Sequence, residues 1–474
     1  MEVRYPEDVF TPRTIVTPDM FERRNEPDLE GLPGLQDSLQ DALRERGGQV
    51  LLYGDTGVGK SSLLKYAAED EVLDYVLVEC STGMSYDDML EAAIRQMVDV
   101  KEISRTVKVS GSVEVTAEGG VPWITKLSGK FKGETGKDKT FEVRDKAALD
   151  VLTEAMDKAD KWLIVLDNFQ NIKDPAVRER VAQGMEILSD RAGRSEGRDF
   201  KFVVIGIASD AATLLGDSRS YGRRTTELGV PRMPDDEIAE ILRRGFQILD
   251  INVEDSLVEH LVFYSDGFPY FAHLLGLEIA RATRRAGEDT VTPVSLDVAL
   301  KRAAKAVSSS YAERIRLAYE AGGDVQPRRR ILGLLAKSPE RVWTATEVVD
   351  LWEAAYSESR PGLHSSLGKL AEEKYGKILV RRGTKRRYVF AFSDPHLRPY
   401  LRITLAEEEK DAASYADLLK LAAGLRILAD ETASTLRRWR SYESKSPADE
   451  GTKQNSEPGS GPNEELSIRE EDLE

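Results

Sequence analysis

The stretch Gly54-Asp55-Thr56-Gly57-Val58-Gly59-Lys60-Ser61 follows an apolar run at residues 50–53 and opens a helical pattern that begins with Ser62. It is a Walker A motif between a predicted strand and a predicted helix. Its glycines let successive backbone N–H groups turn toward a phosphate, and the helix presents its positive end there. We therefore predict a phosphate-binding loop over residues 54–62, with Lys60 reaching the outer phosphates and Ser61 as a ligand of Mg²⁺. The alternative is a glycine-rich turn before an ordinary helix.

The composition is typical of a multidomain globular protein. The chain has 474 residues, of which 41% are hydrophobic, and this length is too great for one compact core. No apolar run approaches the roughly 20 residues of a membrane span, and the first residues lack a secretory pattern, so we expect a cytoplasmic protein without a membrane partner. A single cysteine, Cys80, and four scattered histidines disfavour a disulfide and a metal centre built from these residues. The formal charge of −16 disfavours general coating of nucleic acid but allows a local basic patch.

Five apolar runs separated by helical patterns predict an α/β core. They lie at residues 50–53, 75–80, 162–166, 202–207 and 228–230. Runs that are apolar throughout are buried on both faces, which is typical of a parallel sheet covered by helices. Ligands of such sheets bind at the carboxyl ends of the strands.

The third run ends in a polar pair that bears on catalysis. Asp167 has the position of a Walker B aspartate, which would hold Mg²⁺ opposite Ser61, although a strand-terminal aspartate also caps turns. Many ATPases have a glutamate at the next position, and this chain has Asn168. An amide orients water but cannot accept its proton, so we expect slow hydrolysis unless Gln170 or a neighbouring subunit contributes.

These motifs resemble those of the AAA+ and STAND superfamily of ATPases, closest to its origin-recognition-like and prokaryotic STAND branch. The similarity runs from about Asp19 to Tyr400 at the level of domain order. It implies ATP and Mg²⁺ as cofactors and a homo-oligomer that forms with ATP. It further implies an adenine-pocket segment that includes Arg23, a sensor at Ser209, and an arginine finger among Arg219, Arg223 and Arg224. A turn serine and a solvated cluster of arginines are the alternatives for the last two.

Beyond Pro231 the pattern is helical and predicts a lid. Pro234 and the acids after it start a helix, and further helices are predicted at 253–264 and 269–285. The sequence Asp266-Gly267-Phe268-Pro269 resembles the Gly-x-Pro element of the family's lids, which would place Pro269 against the base. A simple helix break would use the same residues. Tyr270, Phe271 and His273 occupy the positions nearest to the family's sensor 2 arginine, so we do not expect the lid to contact the γ-phosphate.

Three helical patterns after Pro327, followed by a hairpin, resemble a winged helix. The hairpin carries five basic residues, which are Arg381, Arg382, Lys385, Arg386 and Arg387. Such a hairpin would hold DNA phosphates while the third helix, with His364 and Lys369, enters a groove. In STAND proteins these modules often contact protein instead, and the third helix has little positive charge.

The predicted organisation follows in chain order. It consists of an N-terminal lead with the adenine-pocket segment at 1–46, a P-loop core at 47–233 with a β-rich insertion at about 103–143, a helical lid at 234–306, a winged helix at 325–405, an amphipathic helix at 406–443 and a disordered acidic tail at 444–474.

The sequence therefore favours an ATP-binding oligomeric switch that couples nucleotide state to DNA or to an effector protein. A second hypothesis is a signalling scaffold of a prokaryotic defence or mobile-element system that does not touch DNA. A processive motor is disfavoured by Asn168 and by the lack of obvious pore-loop aromatics.

Overall fold

A parallel five-stranded sheet forms the centre of the core. The computed structural model describes residues 4–26, 33–97, 137–192, 198–208, 214, 221–307, 309–322, 326–384 and 387–408. The strands are β1 (Gln49–Tyr53), β2 (Tyr75–Glu79), β3 (Leu163–Asp167), β4 (Lys201–Gly206) and β5 (Thr225–Gly229). Their spatial order is β2-β3-β4-β1-β5, and every neighbouring pair is parallel. The predicted α/β core with a parallel P-loop sheet is confirmed.

Helices cover both faces of this sheet. They are α1 (Pro6–Val9), α2 (Leu35–Arg44), α3 (Lys60–Asp70), α4 (Tyr86–Met97), α5 (Lys137–Lys158) and α6 (Pro175–Ala192), followed by the helices of the predicted lid, α7 (Asp235–Ile248), α8 (Asp255–Ser265), α9 (Pro269–Arg285) and α10 (Pro293–Val307). Alternate strand residues face opposite sides, so Leu51 and Val204 pack with α4, α5 and α6. Val50 and Val203 pack on the other side with α2, α3 and the lid helices.

The C-terminal part combines helices with a small antiparallel sheet. Its elements are α11 (Ser309–Glu320), α12 (Gln326–Lys337), β6 (Val342–Trp343), α13 (Ala345–Tyr356), α14 (Leu363–Lys369), β7 (Leu379–Thr384), β8 (Arg387–Phe392) and α15 (Leu397–Glu408). The strands lie in the order β6-β8-β7. Trp343, Trp352 and Phe390 are buried in a separate core. We refer to residues 326–408 as the C-terminal module.

Helix α5 corrects one sequence-based boundary. It begins at Lys137, so the predicted β-rich insertion does not extend to residue 143. The alternation around 126–143 is weak, whereas Ala148, Leu152 and Met156 are buried at helical spacing, and the stronger period decides the structure. The rest of the predicted insertion, at about 103–136, lies outside the described residues, as do most of the predicted amphipathic helix and all of the acidic tail.

None of the helices in the described part of the chain combines the length and the apolar character that a membrane span requires.

Candidate nucleotide-binding site

The Walker A loop connects β1 to α3 and holds Lys60 in the first turn of the helix. The Lys60 side chain is buried, and its Nζ donates to the carbonyl oxygens of Gly54 (3.1 Å) and Asp55 (2.8 Å). Burial lowers the pKa of Lys60 to about 8, against the pull of the Asp167 and Asp55 carboxylates. Phosphate oxygens would be stronger partners for this ammonium than two carbonyl groups.

Sheet order brings the second predicted magnesium ligand to the loop. Strand β4 lies between β1 and β3, so the Walker A loop and the end of β3 flank its carboxyl end. There the Ser61 hydroxyl donates to Asp167 Oδ2 at 3.2 Å. One hydroxyl and one carboxylate oxygen fit Mg²⁺, which prefers oxygen ligands and keeps several waters. Ser61 and Asp167 would hold the ion, which would neutralise phosphate charge when bound.

Asn168 and Gln170 form a chain of amides at the strand ends. Asn168 has a left-handed backbone with φ of 56°, and its N–H donates to Asp167 Oδ1 at 2.6 Å. Gln170 Nε2 donates to Asn168 Oδ1 at 3.4 Å, and Gln170 Oε1 accepts from the Ile207 N–H at 3.0 Å. The chain fixes both amides beside the site, but neither can accept a proton from water.

A cavity of about 500 Å³ lies above these strand ends, and two carboxylates line it among the described residues. One is Asp167 and the other is Glu79, which ends β2 in direct register with Asp167. Residues opposite each other on neighbouring strands face the same side of a sheet with Cβ atoms about 5 Å apart. Glu79 was missed in the sequence, although an acidic residue next to the end of an apolar run was a usable signal.

The N-terminal segment contributes a strap over the cavity, formed by residues 11–16. The Thr11 N–H donates to His273 Nδ1 at 3.1 Å, and the Tyr66 hydroxyl donates to the Val16 carbonyl at 2.6 Å. Complete burial lowers the pKa of His273 to about 4, so the ring is neutral and accepts this hydrogen bond at neutral pH. Arg13 in the strap is exposed and lines the same cavity.

Arg23, which the family resemblance places near adenine, is paired within the protein. Its guanidinium pairs with Asp70 of α3, with Nη2 2.8 Å from Oδ1. It lines neither the main cavity nor the smaller cavity next to it. That smaller cavity is bounded by Met20, Phe21 and the predicted lid residue Pro269.

The lid reaches the Walker A loop through the first turn of α9. The Tyr270 N–H donates to the Gly57 carbonyl at 3.3 Å. Gly57 has a φ of +78°, and a Cβ added to it would lie 3.0 Å from Tyr270 Cβ. The position therefore needs glycine both for its backbone and for the close approach of the lid.

The C-terminal module also reaches this loop, through His396. Its Nε2 lies 2.8 Å from the Thr56 carbonyl oxygen, so this nitrogen carries the proton and donates. The ring stacks on Tyr270 with 5.8 Å between centroids and 10° between planes. It also meets the ring edges of Phe268 and Phe271 at 4.9 and 5.3 Å. Sequence reasoning did not connect His396 with a loop 340 residues away.

The remaining predicted site residues fall into two groups. Ser209, Arg219, Lys385 and Arg386 lie outside the described residues, and the Arg387 side chain does too. Of the others, Arg223 is exposed at the end of a short 3-10 turn, whereas Arg224 pairs with Glu186 and Asp190 at 2.9 and 2.8 Å. Arg381 lies over the rings of Tyr388 and Phe390.

The sheet order, the Walker A loop and Asp167 define a P-loop nucleotide-binding core. Residues 32–190, about a third of the chain, match the family model described as AAA ATPase domain. This segment is therefore similar to an AAA ATPase domain. No curated protein sequence matches the chain.

Several solved structures are similar at low identity. They include Cdc6p from Pyrobaculum aerophilum (16% identity, TM-score 0.40, covering 85% of this chain and 98% of that one), a Walker-type ATPase of Pyrococcus abyssi (18%, 0.44, 81% and 99%) and the ORC1 protein of Aeropyrum pernix in complex with DNA (14%, 0.39, 85% and 96%). Identities and TM-scores this low carry no functional argument, so the function is argued from the residues of this chain.

Proposed function

We propose that this protein is an ATP-dependent oligomeric switch that binds Mg-ATP, hydrolyses it slowly and transmits the nucleotide state to the C-terminal module. The proposal includes a winged-helix fold for this module and DNA as its partner. The observation that carries it is the hydrogen bond from His396 to the Walker A loop at Thr56. A nucleotide that reshapes the loop would change this contact directly.

The lid and the module are suited to move together. Helix α15 contributes Leu401 and Leu405 to the core of the module and Ile403 and Ala406 to the core that contains the lid helices. Arg402 on the same helix ion-pairs with Asp266, the residue that follows α8, at 3.2 Å. Closure of the lid over a nucleotide would therefore carry the module with it, because interfaces packed this way move as units.

The test is amide hydrogen exchange in the module with and without a non-hydrolysable Mg-ATP analogue. In the wild-type protein we expect nucleotide to change protection at the start of α15 and in α14. In His396→Ala this response should be lost while the analogue still protects the Walker A loop. His364→Ala, which removes an exposed histidine from α14, is the matched control and should respond like wild type. An unchanged response in His396→Ala would remove the support for coupling through this residue.

Glu79 is our candidate for the general base of hydrolysis. It lines the cavity beside Asp167, and with Asp167 committed to Mg²⁺ it is the other carboxylate there among the described residues. A glutamate accepts a proton from water, which the amides of Asn168 and Gln170 cannot do. Its place on the neighbouring strand supports slow turnover rather than none.

One observation favours the alternative of a scaffold without DNA contact. Of the five basic hairpin residues, the two whose side chains are described are exposed, but each also lies against protein. Arg381 covers aromatic rings, and Arg382 lines a cavity next to the core. DNA binding by the wild-type protein decides between the two functions, and the prediction that closes the Discussion specifies the experiment.

A further inference from the structure

A second cavity lies between the Walker A strand and the C-terminal module and has a volume of about 440 Å³. The core contributes the backbone around Gly54 and residues 229–232, and the module contributes residues of β6, β7, β8 and the start of α15. Four arginines line it against one carboxylate, that of Asp55. We call it the arginine cavity, and its arginines are Arg232, Arg341, Arg382 and Arg398.

Two of these arginines, the buried Arg398 and the partly buried Arg232, share one counter-charge. Asp266, itself buried, accepts an ion pair from Arg232 and lies 3.3 Å from Arg398 Nη1. Arg402 also pairs with the same carboxylate, from outside the cavity, at 3.2 Å. One negative charge thus faces three guanidinium groups, and Asp55 adds a contact of 3.6 Å to Arg232 only.

Some of the guanidinium N–H groups that line the cavity have no hydrogen-bond acceptor among the described residues. Arg398 is 2% exposed, and its Nη1 has no hydrogen-bond partner, although it lies within ion-pair distance of Asp266. Arg341 and Arg382 are exposed on the side of the module. Neither has a hydrogen-bond or ion-pair partner within the described part of the chain. Unused guanidinium donors therefore lie both at the floor and at the rim.

The local charge balance also shows an excess of positive charge. Burial lowers the pKa of Arg398 to about 9, and the nearby guanidinium groups of Arg402, Arg341 and Arg232 act in the same direction against Asp266. Arginine still keeps its proton at neutral pH. The cavity consequently holds like charges close together in a poorly solvated place, and an anion entering it would relieve their repulsion.

We propose that the arginine cavity binds a small phosphorylated anion, of the size of pyrophosphate or a mononucleotide, at a site separate from the Walker A loop. The planar guanidinium fork matches phosphate oxygens, and the volume lies in the range of small-molecule pockets, roughly 300–1000 Å³. A free anion reaches Arg398 at the floor, whereas a phosphate within a duplex would reach only the exposed Arg382 and Arg341. The bound anion would join the module to the backbone of Gly54 and Asp55.

The test uses the full chain with Lys60→Ala, which disables the Walker A loop, and inorganic pyrophosphate as the probe in calorimetric titration. We expect this protein to bind pyrophosphate. Adding Arg341→Gln and Arg382→Gln should weaken binding about ten-fold or more, since each charged contact contributes substantially. The matched control adds Arg381→Gln and Lys369→Gln, which remove two charges from the same module outside the cavity, and should change the affinity less than two-fold. The four added substitutions are at partly or fully exposed positions, and thermal unfolding checks that each variant is folded.

Three results would overturn the proposal. The first is no binding of pyrophosphate to the Lys60→Ala protein at millimolar concentration. The second is equal weakening in the cavity variant and the control, which would indicate general electrostatics. The third is a duplex DNA that displaces pyrophosphate and itself depends on Arg341 and Arg382, which would assign these arginines to a nucleic acid backbone. The Lys60→Ala background makes these outcomes independent of ATP hydrolysis and of nucleotide-driven switching.

Discussion

At the scale of single residues, the charge of Lys60 should make nucleotide binding depend on pH. The free protein loses the Lys60 proton above its pKa of about 8, whereas a complex with phosphate keeps it. Affinity for Mg-ATP should therefore fall as pH rises through this value. We expect the dissociation constant of a non-hydrolysable analogue to increase roughly ten-fold between about pH 7 and pH 9.

Lys60→Arg is the matched control, because arginine does not titrate in this range. Its affinity, although weaker, should stay level with pH. A wild-type dissociation constant that does not change between these pH values would contradict the assignment of Lys60. Lys60→Ala should abolish tight binding at every pH, since clustered phosphates lose their main cation.

A second prediction at this scale concerns the roles of Glu79 and Asn168 in ATP turnover. Glu79→Gln should lower ATP turnover about a hundred-fold at unchanged nucleotide affinity, because it removes the proton acceptor and keeps the shape. Asn168→Glu should raise turnover in the wild-type background and restore part of it in Glu79→Gln. Steady-state phosphate release measures both, with Glu69→Gln on the exposed face of α3 as control. Normal turnover in Glu79→Gln would show that water is activated elsewhere.

At the scale of elements, the sequence predicts those helices and strands whose positions are set by local residue patterns. Strands β1 to β4 follow their apolar runs within a residue, and β1, β3 and β4 are buried on both faces as predicted. Strand β5 begins three residues before its predicted run and is partly exposed. Helix α13 begins with a capping box of local origin, in which the Glu347 N–H donates to Thr344 Oγ1 at 3.2 Å. Helix α5 was missed at its start, because charged residues around 137–143 carry little periodic signal of either kind.

The contacts that complete the site were less predictable, since they depend on tertiary packing. The strap at residues 11–16 is held by His273 and Tyr66, which are distant in sequence. His396 reaches Thr56 only because α15 packs against the lid. Neither the spacing of the motifs nor the hydrophobic pattern indicates which residues far apart in sequence will be in contact. Glu79 is the exception, because sheet order together with strand ends would have placed it beside Asp167.

Asp266, at the end of helix α8, should be important for joining the lid to the C-terminal module. Asp266→Asn leaves Arg232, Arg398 and Arg402 without their shared counter-charge, and a buried unpaired charge costs about 3–5 kcal/mol. Urea unfolding should show a loss of this order. Asp255→Asn is the control, because its pair with Arg243 is exposed and should contribute under about 1 kcal/mol. Losses of equal size in the two variants would mean that the cluster is not important for stability.

At the scale of the whole molecule, a cluster of positive charge lies within a chain whose net charge is negative. The protein has a formal charge of −16, yet four arginines surround one cavity where the module meets the core. The same junction contains the hydrogen bond from His396 to Thr56. The nucleotide, the module and the proposed second anion therefore meet in one region. Each ligand should change the affinity for the other to the extent that it prefers one conformation of this region.

DNA binding is the prediction that separates the two proposed functions. Each hairpin residue that meets a phosphate releases condensed counterions, so affinity should fall with salt by a slope of about 0.9 per contact. Arg386→Gln/Arg387→Gln should weaken binding to every duplex and flatten the slope by roughly two, with ATP affinity unchanged. Arg329→Gln/Arg330→Gln removes the same charge from α12, away from the hairpin, and should keep the wild-type slope. The measurement is a salt titration with ATP present. If the wild-type protein fails to bind duplexes at low salt, or if both variants keep its slope, the basic hairpin contacts an acidic protein surface and the scaffold function is preferred.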